Sequence, residues 1–184
     1  MSKRNRLPPW HEYFSLPNGR QLLIRPLRAE DNAPLIGALP LLGPLEIRQR
    51  FLYPANELTA DAVQRLVQFH PKTEIVLTVA ESLPPGEAVI AAVARAGIVP
   101  NTRKAQYAIL VSDFVAGMGL GRNLLLKLSK WARRRYLDSL YGEISEANLP
   151  MLQLAASLGF KPDPQPPAPG LIRVELNLDP ENRC

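Results

Sequence analysis

The chain has 184 residues, of which 46% are hydrophobic and 21% charged, and its formal net charge is +5. These values are typical of one globular domain with a full hydrophobic core. No apolar stretch approaches the ~20 residues that span a bilayer, no apolar segment follows the basic N-terminus as it would in a secretory signal, and the single cysteine, Cys184, excludes an intramolecular disulfide. We therefore expect a cytoplasmic protein.

The basic charge balance indicates an anionic ligand or partner. The densest basic run, Arg133–Arg135, falls on a predicted helix. A solvated helix face accounts for it better than a nucleic-acid surface, because the interleaved aromatic residues of a single-strand binder are missing. Two scattered histidines and one cysteine predict no metal site.

The N-terminal residues 1–19 are predicted to form an arm, residues 20–178 the domain, and residues 179–184 a C-terminal tail. The arm carries Trp10, Tyr13 and Phe14. These aromatic side chains either cover the domain's own edge or contact a protein partner, and the sequence leaves both open. Asn18-Gly19 is a turn signal.

Hydrophobic periodicity predicts the elements of the first two thirds of the domain. A first strand covers Gln21–Arg25. Three helices follow at Asp31–Leu39, Leu45–Leu52 and Asp61–Phe69, the last with Thr59 as N-cap. Three strands at Glu74–Glu81, Ala88–Ile98 and Ala105–Val111, joined by proline-containing turns, predict an antiparallel meander.

The last third is predicted to alternate between helices and strands. A long helix covers Leu120–Tyr136, a strand covers Ser139–Ser145, and Asn148 caps a short helix with Pro150 in its first turn. The segment Leu171–Leu178 alternates apolar and polar residues as a half-buried strand does. The expected fold class is α+β, with a mixed sheet and helices on both sides.

A glycine-rich loop, Gly117-x-Gly119-x-Gly121, lies between the predicted strand Ala105–Val111 and the long helix. Glycine lets the backbone approach a ligand closely, and the unpaired N–H groups of a helix's first turn attract an anion. The arrangement therefore predicts a phosphate site. Its spacing differs from those of the dinucleotide and nucleoside-triphosphate loops.

This loop resembles the acyl-CoA loop of the GNAT acetyltransferases. Leu22–Asp31 resembles that family's first strand and helix, and Asn148–Phe160 resembles its last helix. The chain is most similar to the GNAT domain of bacterial protein lysine acetyltransferases, which has similar residues at Arg48–Phe51, Gly142-Glu143 and Glu146–Asn148. The resemblance covers residues 20 to 178 and implies a GNAT fold, a mixed and mostly antiparallel sheet with helices on both faces.

The resemblance implies acetyl-CoA, or another acyl-CoA, as donor and an amine as acceptor, either a protein lysine or a small molecule. In the family, the strand before the loop splays from the next strand. Its backbone pairs with the pantetheine arm and can present an N–H to the thioester oxygen. The implied cofactor-binding residues are Ile109, Leu110, Val111, Gly117, Met118, Gly119, Leu120, Gly121, Arg122 and Asn148.

The catalytic positions depart from the pattern of the resembling group. There, a glutamate in an Ala-Glu-Phe context is thought to deprotonate the amine, whereas this chain has Ala105-Gln106-Tyr107. Glutamine can orient a substrate but cannot accept a proton at neutral pH. The family's last-helix tyrosine is Ala155 here, and Ala116 and Met118 replace polar or basic loop residues.

The candidate catalytic residues are Gln106 and, as a substitute base, Glu143 on the neighbouring strand. Glu146, which follows it, is the alternative carboxylate. Two interpretations stay open. The first, which we favour, is an active N-acetyltransferase. The second is a GNAT-fold protein that has lost catalysis and acts as an acyl-CoA sensor or as a structural subunit.

Overall fold

The computed structural model describes residues 7–42, 60–84 and 86–178. The predicted helix Leu45–Leu52 with the segment Arg48–Phe51, the predicted cap Thr59, and the tail 179–184 with Cys184 lie outside the described residues. Within the described ranges, no helix is long and apolar enough to cross a membrane.

Eight strands and four α-helices are present among the described residues. The strands are β1 (Glu12–Ser15), β2 (Gln21–Pro26), β3 (Glu74–Glu81), β4 (Ile90–Ile98), β5 (Lys104–Val111), β6 (Ser139–Ser145), β7 (Lys161–Pro162) and β8 (Leu171–Asn177). The helices are α1 (Asn32–Ala38), α2 (Ala60–Val67), α3 (Leu120–Arg134) and α4 (Leu149–Ser157).

Hydrogen bonds join the strands in the order β1-β2-β3-β4-β5-β6-β8-β7. The pair β5–β6 is parallel, whereas β1–β2, β2–β3, β6–β8 and β7–β8 are antiparallel. The predicted mixed, mostly antiparallel sheet is therefore confirmed. The predicted bounds of β3 and β6 agree with the structure, and those of β2, β4, β5 and β8 differ by at most two residues.

Two short strands were not predicted, and one of them lies in the N-terminal arm. Strand β1 pairs with β2 from Glu12↔Ile24 to Ser15↔Gln21. The Asn18-Gly19 turn joins the two strands, with Gly19 at a φ of 84° and the N–H of Leu16 donating to the carbonyl of Arg20 at 2.8 Å. No residue of β1 is buried, so its sequence lacks the alternation that would have revealed it.

The chain divides into two compact units, whose described residues fall within 1–69, 76–93 and 110–118 for the first and 70–75, 94–109 and 119–184 for the second. In the first unit α1 packs on α2. One face of α2 is buried through Ala62, Val63, Leu66 and Val67, which is the spacing of an amphipathic helix.

A buried ion pair ties β2 to the start of α1 in the first unit. Arg25 donates to both carboxylate oxygens of Asp31, at 2.6 and 2.8 Å, and the backbone N–H of Arg28 donates to Asp31 at 2.9 Å. Burial would raise the pKa of Asp31, but these hydrogen bonds outweigh it and the pKa is lowered. The pair lies within the predicted first-strand motif Leu22–Asp31.

In the second unit α3 contacts α4 and β6. Helix α3 buries one face through Leu124, Leu128 and Trp131. The predicted N-cap of α4 is confirmed, because the Asn148 Oδ1 accepts a hydrogen bond from the Met151 N–H at 3.2 Å and proline occupies the helix's first turn.

Candidate active site

In the second unit the parallel strands β5 and β6 separate partway along their length. Their register runs from Lys104↔Ser139 to Tyr107↔Gly142 and ends there, although β5 continues to Val111 and β6 to Ser145. From Ala108 onward, β5 therefore has no pairing partner on β6. Main-chain groups that lose a strand partner need another partner when a site is shielded from water.

The last paired position combines a tyrosine with a glycine. Tyr107 is 5% exposed, and a Cβ added to Gly142 would lie 2.4 Å from the Tyr107 Cζ. Any larger residue at 142 would displace the ring. Phe160 meets the tyrosine edge-on, with ring centroids 5.6 Å apart. Burial raises the pKa of Tyr107, and its hydroxyl has no hydrogen-bond partner among the residues that the structure describes.

The opposite face of these strands carries the two predicted catalytic residues. Gln106 is exposed and is the Cα partner of Tyr141 on β6. Glu143 follows Tyr141 by two residues, so it shares that face and lies just beyond the last paired position. The structure therefore brings Gln106 and Glu143 to the same face of neighbouring strands.

Glu143 is held by an arginine from the next strand. Arg173 on β8 donates to the Glu143 Oε1 at 2.7 Å, and its guanidinium lies 4.7 Å from the centroid of the Tyr141 ring. Burial raises the pKa of Tyr141, and the positive charge of Arg173 partly offsets that shift. The Arg173 Nε is buried and has no hydrogen-bond partner within the described part of the chain.

A second ion pair flanks this group. The Lys104 Nζ lies 2.9 Å from the Glu175 Oε1. Burial would raise the pKa of Glu175, but side-chain hydrogen bonds, including that from Lys104, lower it. The face around Gln106 thus carries two acidic and two basic side chains at Lys104, Glu143, Arg173 and Glu175.

The glycine loop begins in the first unit. Ile109 and Val111 are half-buried and Leu110 is buried. The Ser112 N–H donates to the Ala91 carbonyl at 2.9 Å, and a 3-10 turn covers Asp113–Val115. Gly117 has a φ of +75°, and apart from its chain neighbours no described residue has an atom within 4 Å of the place where its Cβ would be. This glycine therefore allows a left-handed backbone next to open space.

The loop residues from Gly119 onward belong to the second unit. Gly119 precedes α3 and has a φ of 87°. No described side chain caps this helix, so the N–H groups of its first turn lack the usual side-chain acceptor and are suited to an anion. Met118 is half-buried. Leu120 is 1% exposed, so contact with a ligand would have to come from its main chain.

Gly121, Arg122 and Asn148 have roles that the sequence analysis did not separate. A Cβ on Gly121 would lie 3.3 Å from the Leu154 Cδ2, so this glycine allows α3 to pack closely on α4. Arg122 is exposed and donates to the Ser157 Oγ at 3.3 Å. The Asn148 side chain caps α4.

Sequence reasoning missed the contribution of Arg173. Its place in the polar alternation of Leu171–Leu178 was predicted, but its pairing with Glu143 depends on β8 lying beside β6 in one register. No group of three or more His, Cys, Asp or Glu side chains that could hold a metal ion occurs in the described ranges.

Comparison with known proteins identifies the family. The model of the acetyltransferase (GNAT) family matches residues 45–160. A Pseudomonas aeruginosa protein named acetyltransferase PA5475 is 30% identical over 152 residues, which cover 82% of this chain and 80% of that protein.

Solved structures support the fold. The GNAT domain of S. lividans PAT aligns with a TM-score of 0.74 at 21% identity, covering 94% of this chain and 99% of that domain. The protein yncA of Salmonella typhimurium, solved with its cofactor acetyl-CoA, aligns with a TM-score of 0.63 at 24% identity, covering 86% and 95% of the two chains. The predicted family and fold are confirmed: this chain belongs to the GNAT family of acetyltransferases.

Proposed function

We propose that this protein transfers an acetyl group from acetyl-CoA to a primary amine, on a protein lysine or a small molecule. One observation carries the proposal. In the second unit, β5 loses its β6 partner immediately after Tyr107, and α3 begins without a side-chain cap at Gly119. Open main-chain groups on the strand suit a pantetheine arm, and those on the helix suit a pyrophosphate.

The residues present fit acetyl-CoA. The main chain of Ile109–Val111 would bind the arm. The segment Gly117–Arg122 would bind the pyrophosphate through N–H groups, with Arg122 as the nearby cation. Ala116 and Met118 bring no charge, so binding depends on the backbone more than it would in a loop with basic side chains. Asn148 contributes by fixing the start of α4.

Acetyl-CoA supplies the reactive thioester when bound, and the chain has three tasks. A main-chain N–H within Ile109–Val111 stabilises the oxyanion that forms when the amine attacks. The Gln106 amide, exposed beside Tyr141, orients the amine. The Glu143 carboxylate would take the proton that the amine loses, directly or through a water, while Arg173 holds that carboxylate in place. The C–S bond would then break, and the departing CoA thiolate would take a proton from solvent.

Support for a lysine acceptor comes from the resemblance to protein lysine acetyltransferases. Glu143 and Glu175 are each paired with a basic side chain, so the charge of this face does not distinguish a lysine from a small polyamine. The second interpretation, a protein without catalysis, gains no support from the comparisons, since the curated relative is itself named an acetyltransferase.

The cofactor site is tested by two matched glycine substitutions. Gly117 and Gly170 have φ values of +75° and +76°, and at both sites the described residues other than the chain neighbours leave the Cβ position clear to 4 Å. Alanine at either site carries the same left-handed strain of about 1–2 kcal/mol. We expect Gly117→Ala to weaken acetyl-CoA binding in titration calorimetry and Gly170→Ala to leave it unchanged. Equal affinities in both variants, or no binding by the wild type at millimolar ligand, would contradict the assignment.

A further inference from the structure

We propose that the Tyr107 hydroxyl donates a hydrogen bond to the acyl-pantetheine arm of bound acyl-CoA. This hydrogen bond presupposes the proposed function and adds one contact between the protein and the bound acyl-CoA. The arm is the part of the ligand that carries amide and thioester acceptors, and Tyr107 is the residue at which β5 and β6 part.

The Tyr107 hydroxyl is buried without a hydrogen-bond partner in the described part of the chain. Tyr107 is 5% exposed, deeper than most tyrosines in the described chain, and its oxygen has no partner among the described residues. Leaving a buried hydroxyl unpaired destabilises a folded protein. A phenylalanine would fill the same space against Gly142 and Phe160 without that cost. The oxygen itself is closed off in the ligand-free chain, and a ligand acceptor that reached it would remove this cost.

The second argument is the position of the ring. Its Cζ, Cε1 and Cε2 atoms all lie within 2.8 Å of the place where a Gly142 Cβ would be. The hydroxyl-bearing end of the ring is therefore at the last paired position itself. The next residue of β5, Ala108, is the first without a β6 partner. A ligand arm that pairs with this open stretch would begin beside the hydroxyl.

The polar side chains on the opposite face of β5 and β6 do not reach the Tyr107 hydroxyl. Successive side chains of a strand point to opposite faces, so Tyr107 faces away from Gln106, Tyr141 and Glu143. The polar groups of that face cannot satisfy the hydroxyl. Two of its neighbours on the covered face are Gly142 and the aromatic ring of Phe160, neither of which offers a side-chain acceptor, and no other described residue accepts a hydrogen bond from it.

The test compares Tyr107→Phe with Tyr136→Phe in the full chain. Tyr136 is 82% exposed, so its substitution removes a hydroxyl that water already solvates. Titration calorimetry would use acetyl-CoA, CoA and 3′-phosphoadenosine 5′-diphosphate, which lacks the pantetheine arm. Thermal unfolding of each protein without ligand would be measured alongside.

We expect Tyr107→Phe to weaken acetyl-CoA binding about 5- to 10-fold, the effect of one neutral hydrogen bond. Its affinity for 3′-phosphoadenosine 5′-diphosphate and its ligand-free stability should be retained or raised. Tyr136→Phe should match the wild type for every ligand. Unchanged acetyl-CoA affinity in Tyr107→Phe, or an equal loss for the ligand without the arm, would overturn the proposal. A wild type that binds none of the three ligands would instead overturn the proposed function.

Discussion

At the scale of single residues, the central question is which group takes the proton from the amine. The position that carries glutamate in the resembling lysine acetyltransferases is Gln106, and an amide cannot do this work. Glu143 is the one acidic residue of β6, and it lies on the same face of the sheet as Gln106. Two substitutions separate the possible arrangements.

Glu143→Gln should lower kcat/KM about 100-fold, at the lower end of the effect of general acid–base catalysis. The loss should be largest below the pKa of the amine, where most of the acceptor is protonated. Glu175→Gln is the matched control, because Glu175 is also half-buried and ion-paired on that face. Rates of thiol release across pH would show the difference. Similar losses in both variants would argue for general electrostatic attraction.

Gln106→Glu should raise kcat/KM if the wild type works without a base at position 106. The added carboxylate would lie on the open face beside Tyr141, and the gain should be greatest below the pKa of the amine, at pH values where the carboxylate is still ionised. Gln106→Ala provides the comparison, since it removes the orienting amide and adds no base. If Gln106→Glu is no faster than Gln106→Ala, then position 106 does not reach the amine.

At the scale of elements, a closely packed glycine, Gly142, occupies the last paired position of β5 and β6. A methyl group on Gly142 would overlap the Tyr107 ring at 2.4 Å from Cζ, and overpacking of this kind typically costs about 1–3 kcal/mol. Gly142→Ala should therefore lower the free energy of unfolding in urea by that amount. Gly97→Ala on β4 is the control, because its Cβ would make an ordinary 3.5 Å contact with the Glu74 side chain. Equal free energies of unfolding for Gly142→Ala and Gly97→Ala would show that the Tyr107 ring moves aside without a cost in stability.

The ion pair between β2 and the start of α1 makes a prediction about pH. Asp31 has a lowered pKa, so its contribution to stability is present above its unfolded value near 3.8 and is lost as pH falls through the folded pKa. Asp31→Asn leaves the buried Arg25 without its partner and should cost about 3–5 kcal/mol at neutral pH. Urea unfolding should show the difference between wild type and variant shrinking in acid. If the difference in free energy of unfolding between wild type and Asp31→Asn did not change with pH, Asp31 would not be the ionised partner of Arg25 in the folded protein.

The N-terminal strand changes how a protein partner should be sought. Deleting residues 1–17 would remove β1 and expose the main chain of β2, which by itself promotes unspecific pairing. Tyr13 is 47% exposed on β1, so Tyr13→Ser in the full chain is the cleaner test of a partner contact at this edge.

At the scale of the whole molecule, the succession of strands and helices along the chain follows from hydrophobic periodicity and turn residues. Strands β3 and β6 were predicted at their observed bounds because they are long and their buried residues alternate or run together. The short strands β1 and β7 have no such pattern. The pairing of Glu143 with Arg173 and the packing of Tyr107 on Gly142 depend on strand order and register, which periodicity does not specify.

Family membership fixes the class of reaction, and the open β5 main chain with the uncapped α3 supports the donor site. On the acceptor side this chain differs from the lysine acetyltransferases that it resembles, because it has Gln106 at the position of their glutamate. Its Glu143 is ion-paired with Arg173. The central claim is therefore that catalysis persists with this altered set of residues.

The most direct test is a thiol-release assay with acetyl-CoA, lysine peptides and small polyamines, with mass spectrometry of each acceptor. We expect amine-dependent release of CoA, with one acetyl group on the acceptor for each thiol released. Binding of acetyl-CoA without release above spontaneous hydrolysis, for every amine tested, would contradict the account and show that this GNAT domain binds its donor without transferring from it.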